Sequence, residues 1–355
     1  TLADTTFYKM IADFNWEIIP SSLTWQINNN LSVQERNQLN RPLPTNKQQV
    51  NIFSTGPSYI YRLSPINSIL LDYRYSDIKY DRKLFVTNVD NQRNVYNLAF
   101  EHKISEVSNI TLNYDDTRVN YLDETNNTDF TGKSVYFTYN AVKARSTVAL
   151  SAGVNKAKLV TNTREYKSDF YSAQWDYQIN FSSNLSARYR KGLSEASNDI
   201  SLSNFLNTGG ANNANLLDSS IFTVERFYLM YAQNRANWKT SYILNGVEQD
   251  YDQVRPTQKT LGGTIIFDYN LSRSLVLTSL LTQVTRKSLT SNEIRTNDKI
   301  IGIGTRYYIS NNLQFITQYR KNNRSSNQVG RTYDENVFSL SLTYSNAPLV
   351  VGPQR

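Results

Sequence analysis

Residues 68–76 read Ser-Ile-Leu-Leu-Asp-Tyr-Arg-Tyr-Ser and alternate between two kinds of side chain. The odd-numbered positions from 69 to 75 carry Ile, Leu and Tyr, whereas the even-numbered positions from 72 to 76 carry Asp, Arg and Ser. Because successive side chains of a β-strand point to opposite faces, this stretch predicts a strand with one apolar and one polar face. The alternation returns at 110–115, 171–181, 260–271 and 338–344. Residues 171–181 sustain it for about ten positions, enough for a tilted strand to cross a membrane.

Short polar turns separate these alternating segments about every forty residues. They lie at residues 20–22, 64–67, 105–109, 143–146, 182–184, 234–237, 272–274 and 310–312. Longer polar connections lie between them, approximately at 34–49, 81–92, 122–131, 156–167, 198–219, 248–258, 287–297 and 321–332. Repeated long hairpins of this kind predict an all-β fold, a transmembrane antiparallel β-barrel with short periplasmic turns and longer extracellular loops.

The hairpins supply sixteen predicted strands, and a last one near 333–345 makes seventeen. Since bacterial barrels have even strand numbers, we expect sixteen to eighteen strands. The first predicted strand lies at residues 5–19, and we favour one further strand that would precede it in the full protein. The sequence predicts a single barrel domain over residues 1–345 and a C-terminal tail at 346–355.

Composition favours a membrane barrel over two other readings of the repeat. A β-propeller also has a period near forty residues, but its Gly-His and Trp-Asp signals are missing here. A soluble β-sandwich alternates too, although rarely over ten residues. The chain of 355 residues has 25 Tyr, 15 Phe and 4 Trp, as the aromatic girdles of barrels require. Its mean hydropathy of −0.53 excludes a bundle of membrane helices. We therefore expect the protein to lie in the bacterial outer membrane, with lipid and lipopolysaccharide around the barrel.

The polar side of the strands predicts the lining of a pore. Strand parity places these charged residues there: Arg62, Asp72, Arg74, Glu101, Asp115, Asp176, Arg188, Arg190, Arg226, Asp268, Arg306 and Arg320. Opposed rows of arginine and carboxylate in a narrow pore would bias it weakly toward anions. The same residues can instead pair across neighbouring strands and keep the wall hydrated, and the sequence leaves both open.

Nothing in the sequence supports an enzyme. The single histidine, His102, lies beside a short turn, where it reads as an ordinary surface residue. The chain has no cysteine and no histidine cluster, so we expect no catalytic residues, no metal and no cofactor. Its net charge of +8 is spread along the whole length, which predicts no nucleic-acid partner.

One region carries a family resemblance. Residues 54–65, followed by 70–75 and 80–81, resemble the outer-membrane β-barrel porins found alongside exopolysaccharide export and PEP-CTERM sorting systems. Its most specific element is Gly56-Pro57 within a strand, which predicts a kink or bulge. The resemblance implies a pore that assists export of exopolysaccharide, with polysaccharide and periplasmic export components as partners. A general diffusion porin with weak anion preference, and a scaffold or receptor for a surface assembly, are the alternatives.

Overall fold

The computed structural model describes residues 7–35, 39–40, 46–81, 89–123, 127–161, 164–195, 220–251, 256–289 and 293–344. The described residues form seventeen strands, numbered β1 to β17 in chain order. Their bounds are Met10–Ile19, Leu23–Glu35, Lys47–Arg62, Asn67–Tyr80, Asn91–Ser105, Ser108–Tyr121, Phe130–Lys143, Ser146–Leu159, Glu165–Asn180, Ser183–Glu195, Ile221–Asn234, Trp238–Asp250, Thr257–Asn270, Leu275–Leu289, Ile294–Tyr308, Leu313–Ser326 and Tyr333–Tyr344. No helix in these ranges is long and apolar enough to cross a membrane.

All seventeen strands belong to one sheet. Strands that follow each other in the chain pair antiparallel, as the registers of β1 to β8 and of β13 to β17 show. The predicted fold class, an all-β antiparallel barrel of sixteen to eighteen strands, is therefore confirmed. The predicted short turns also fall between strands, as at residues 144–145 between β7 and β8.

Several strands continue beyond the predicted crossings. The loop expected at 156–167 is much shorter, because β8 runs to Leu159 and β9 begins at Glu165. The loop expected at 321–332 is likewise shortened by β16, which extends to Ser326. The sequence predicts loops there because these residues are polar. The strands continue nevertheless, since backbone pairing needs a neighbouring strand with free N–H and C=O groups and does not need apolar side chains. The loop core at 198–219, residues 1–6 and the tail at 346–355 lie outside the described residues.

Two compact units divide the chain. The first comprises Thr1–Gln174, Tyr189–Glu225 and Gln249–Arg255, and it contains β1 to β8 entirely. The second comprises Trp175–Arg188, Arg226–Glu248 and Pro256–Arg355, and it contains β13 to β17 entirely. We refer to them below as the first unit and the second unit.

One face of the strands is apolar and exposed. In β7, Val135, Phe137 and Tyr139 alternate with polar residues, and the Phe137 side chain is 60% exposed. In β17, Phe338, Leu340 and Leu342 are 60–68% exposed in the same alternating way. Such a surface is unfavourable in water, and its natural surroundings are lipid chains. We call it the apolar face, and the opposite one the polar face.

The predicted irregularity at Gly56-Pro57 is present as a break in the ladder between β3 and β4. Thr55 pairs with Tyr75, and the next pair along the ladder is Ser58 with Asp72, so the break leaves the register unchanged. A Cβ on residue 56 would lie 1.9 Å from the Tyr73 carbonyl oxygen, which explains why glycine is needed. Pro57 has no N–H to donate, which removes a ladder bond at the same place.

Candidate functional site on the polar face

A row of polar side chains crosses six strands of the first unit. Its members lie opposite one another in register from β3 to β8: Ser58, Asp72, Asn97, Asp115, Ser134 and Asn155. Directly opposed residues point to the same face of a sheet, so all six share the polar face. Hydrogen bonds join them in pairs: Ser58 donates to Asp72 at 2.5 Å, Asn97 to Asp115 at 2.5 Å, and Asn155 to Ser134 at 2.6 Å. We call this set the polar row.

Arg74, a predicted pore-lining residue, is held at the ladder break. Its Nη1 donates to the carbonyl oxygens of Gly56 at 2.8 Å and Tyr73 at 2.9 Å. Its Nη2 donates to Gln26 Oε1 at 2.5 Å and lies 3.0 Å from Asp72 Oδ2. The guanidinium therefore satisfies carbonyls that the ladder leaves unpaired, and its role in the wall is structural.

The remaining predicted pore-lining residues of the first unit fall into two groups. Arg62 and Glu101 lie near the short turns, where Arg62 donates to the Ser21 carbonyl oxygen at 2.8 Å and Glu101 accepts from Asn109 at 3.1 Å. Asp115 belongs to the polar row, and Arg190 on β10 lies over the ring of Phe170 at 5.3 Å. The structure thus brings Asp115 and Arg190 to one region, the cavity described below, and leaves Arg62 and Glu101 outside it.

In the second unit the predicted residues are spread along the strands. Asp268 pairs in register with Thr278, Arg306 with Ile316, and Arg320 with Gly302. Arg226 is buried on β11, and Arg188 lies over the Tyr228 ring at 6.0 Å. Asp176 lies on β9 at the parity of its polar neighbours. That these twelve residues line an open pore stays a prediction.

The polar face of the first unit carries an ion pair that sequence reasoning missed. Arg93 on β5 donates from Nη2 to Glu195 at the end of β10, with side chains only 11% and 4% exposed. Since β6 to β9 come between them in the chain, the contact requires the polar face of this unit to be concave. No local pattern links residues 102 positions apart, so the sequence contains no signal for the pair.

Apolar side chains surround this ion pair on the same face. Ten buried residues form one cluster: Val50, Ile52, Ile78, Tyr80, Val89, Val119, Tyr121, Phe130, Ala157 and Ile221. Nearly all lie near the loop ends of their strands, and Val50 and Val119 are fully buried. The polar face is therefore polar in the middle and apolar toward the loops. We call this set, together with Arg93 and Glu195, the apolar cap.

A second buried cluster of charges lies in the second unit. Asp298 on β15 accepts hydrogen bonds from Arg286 on β14 and from Arg324 on β16, the latter at 2.5 Å from Nε and 2.8 Å from Nη2. The three side chains are 3–10% exposed. Register pairs Asp298 directly with Arg324, so strand parity could have found this contact, but Arg324 lies within 321–332, where the sequence predicts a loop.

No enzyme chemistry is assembled in the described part of the chain. His102 lies on an exposed strand end, with Nδ1 2.8 Å from Asn67 Oδ1. Among the described residues, no group of three His, Cys, Asp or Glu side chains could hold a metal ion. The absence of an enzymatic activity stays a prediction.

The apolar face identifies the surroundings of the protein. Strands of 10–16 residues with exposed aliphatic and aromatic side chains on one face and hydrogen-bonded polar groups on the other suit a lipid bilayer. Antiparallel barrels of this kind are proteins of the bacterial outer membrane, and the predicted localisation holds.

Comparison with known proteins gives structural neighbours only. No protein-family model matches the sequence, and no curated protein matches it. The copper transporter OprC is 9% identical, with 91% of this chain and 69% of that chain covered and a TM-score of 0.45. The siderophore receptor PiuA from Acinetobacter baumannii is 9% identical, with coverage of 91% and 71% and a TM-score of 0.43. The FrpB iron transporter from Neisseria meningitidis (F5-1 variant) is 9% identical, with coverage of 93% and 68% and a TM-score of 0.48. At these identities the substrates of the neighbours are not assigned to this chain.

Proposed function

We propose that this chain is an outer-membrane transport protein whose path follows the polar face and is gated at the apolar cap. The observation that carries the proposal is the buried pair Arg93–Glu195 set among apolar side chains on that face. A permanently open diffusion porin would keep charged groups of its wall hydrated. Here two opposite charges are removed from water and joined across strands that are distant in the chain.

The energetics of the pair suit a gate. Desolvation opposes the mutual attraction of two buried charges, so such a pair adds little net stability while it is intact. Removing one partner leaves an uncompensated buried charge, which costs about 3–5 kcal/mol. A conformation that rehydrates both groups together avoids this penalty. The pair therefore favours two states, closed with both charges bonded or open with both charges in water.

The proposed cargo is a hydroxylated polymer, and the specific role we propose is export of exopolysaccharide. The polar row presents hydroxyl, amide and carboxylate groups, which suit hydrogen bonding to sugar hydroxyls. The resemblance at residues 54–65 points the same way. General diffusion and a scaffold role are the alternatives that the experiment must separate.

Planar-bilayer conductance tests the gate. We expect low conductance from the native protein and a higher open fraction from Glu195→Gln, since the variant loses one charge of the pair. The matched control is Glu248→Gln, because Glu248 pairs with Lys259 at 2.8 Å while both side chains are more than 40% exposed. Heat-dependent gel mobility must first show that each variant folds. A native protein that conducts fully, with no change in Glu195→Gln, would establish a diffusion porin and refute the gate.

The cargo is tested separately on the conducting variant. Purified exopolysaccharide added on one side should block the current reversibly if the polymer enters the path. An unaffected current would contradict the export role and leave transport of a smaller solute.

A further inference from the structure

A cavity of about 260 Å³ lies on the polar face of the first unit, next to the apolar cap. Its wall includes Asp115, Ser134 and Asn155 of the polar row, and Arg190 on β10. Arg93 and Glu195 form part of the same wall. Since a water molecule occupies about 30 Å³ in the liquid, this volume corresponds to about nine waters, or a ligand of about a dozen non-hydrogen atoms.

Arg190 is the unusual member of the wall. Among the described residues, no hydrogen bond or ion pair joins its guanidinium to a protein acceptor, and the guanidinium lies over the Phe170 ring at 5.3 Å. Asp115 lies within electrostatic range, but its carboxylate already accepts a hydrogen bond from Asn97 at 2.5 Å and lies beside the Tyr136 hydroxyl. A guanidinium offers five donors in a planar fork that fits a carboxylate in bidentate fashion. Arg190 therefore presents a cation with open donors to the cavity.

Asn155 supplies the complementary acceptor. Its Nδ2 donates to Ser134 at 2.6 Å, while its Oδ1 is buried and has no hydrogen-bond partner in the described structure. Gly192 leaves room beside that oxygen, since a Cβ there would lie 2.7 Å from Asn155 Oδ1 and 3.1 Å from Phe170. An unpaired buried acceptor destabilises the protein unless a donor reaches it. A ligand hydroxyl is the group that would supply that donor.

We propose that this cavity binds a small hydroxylated carboxylate of the size of one sugar acid. Its carboxylate would take the Arg190 fork, and one hydroxyl would donate to Asn155 Oδ1. Arg93 and Glu195 neutralise each other, and the Asp115 carboxylate already accepts a hydrogen bond from Asn97, so Arg190 is the group of this wall that can bind an anion. This assignment rests on the proposed transport function and names the substrate class as an acidic sugar or a polymer that contains one.

Calorimetric binding to the full chain folded in detergent tests the cavity, with glucuronate as probe and glucose and acetate as comparisons. We expect glucuronate to bind at least tenfold more tightly than either, because only glucuronate combines the carboxylate with hydroxyls and hydrogen bonds to charged groups are the stronger ones. Arg190→Gln should weaken glucuronate at least tenfold. Arg306→Gln, which removes one arginine from the polar parity of β15, is the matched control and should bind as the native protein does.

Asn155→Ala gives an independent reading of the hydroxyl contact, and it should weaken glucuronate while leaving acetate unchanged. Equal binding of glucose and glucuronate, or native affinity in Arg190→Gln, would overturn the proposal. Binding is measured without a current, so a negative binding result would refute the cavity site without bearing on the gate. A negative conductance result would refute the gate and would not affect a measured binding site.

Discussion

Replacing Asp298 with Asn should strongly destabilise the protein. The substitution keeps the shape of the side chain but removes the charge that holds Arg286 and Arg324 together. Asp298 accepts three hydrogen bonds from the two guanidinium groups, and Arg324 is only 3% exposed. Removing one partner of such a buried ion pair costs about 3–5 kcal/mol, because the remaining charges cannot regain water. Here two like charges are left facing each other, so we expect the upper part of that range.

Urea titration of the protein folded in phospholipid vesicles, followed by tryptophan fluorescence, measures the change. The matched control is Asp334→Asn on β17, whose partner Lys321 lies at 3.6 Å with both side chains more than half exposed. Exposed pairs contribute about 0–1 kcal/mol, so the control should stay close to the native free energy of unfolding. The double variant Arg286→Gln with Asp298→Asn should recover part of the loss, since one of the two cations that repel each other is gone. If Asp298→Asn loses no more than Asp334→Asn, the cluster is hydrated in the membrane and the reasoning is wrong.

Two further predictions concern the strands themselves. Gly56→Ala should fold poorly or lose several kcal/mol of stability, because its Cβ would lie 1.9 Å from the Tyr73 carbonyl oxygen. Gly330→Ala is the control, since its Cβ would meet open space and the substitution adds only the strain of the positive φ of 82°. Heat-dependent gel mobility after refolding compares the two variants, and equal folding yields would contradict the close approach. Leu98→Arg in the middle of β5 should lose about 2–4 kcal/mol in the same urea titration, as expected for a cation on a lipid-exposed position near the midplane. Leu122→Arg is its control, since Leu122 is similarly exposed, at 51%, but lies just beyond the end of β6; equal losses would show that the apolar face does not meet lipid.

Strand parity was enough to predict the fold. Each of the eight turns predicted from the sequence lies at a junction between two strands, because turn residues interrupt a regular alternation. The break at Gly56-Pro57 was visible for the same reason, since proline removes a donor wherever it stands. The partner that repairs the break was not visible. Arg74 reaches Gln26, 48 positions away, and only the register of three strands brings them together.

The apolar cap shows where alternation misleads. Val50 and Ile78 are apolar, yet both have the parity of the polar face and are buried there. A rule that assigns every apolar residue of a strand to the lipid does not predict this burial, because it assumes that the polar face meets water along its whole length. Burial on the concave side depends on contacts between strands distant in the chain. Such contacts follow from the curvature of the sheet, and local patterns carry no information about them.

The number of arginines in the wall does not by itself give the number of guanidinium groups that are available to a solute. In the first unit, Arg62 donates to a turn carbonyl, while Arg74 donates to carbonyls at the ladder break and lies 3.0 Å from Asp72, so both already use donors within the protein. Arg93 is neutralised by Glu195. Arg190 alone among these four has no protein acceptor within the described structure, and it is the one that faces the cavity. Among these four arginines, we therefore expect Arg190 to contribute most to the weak anion preference. A measured preference that survives Arg190→Gln would have to arise outside the cavity.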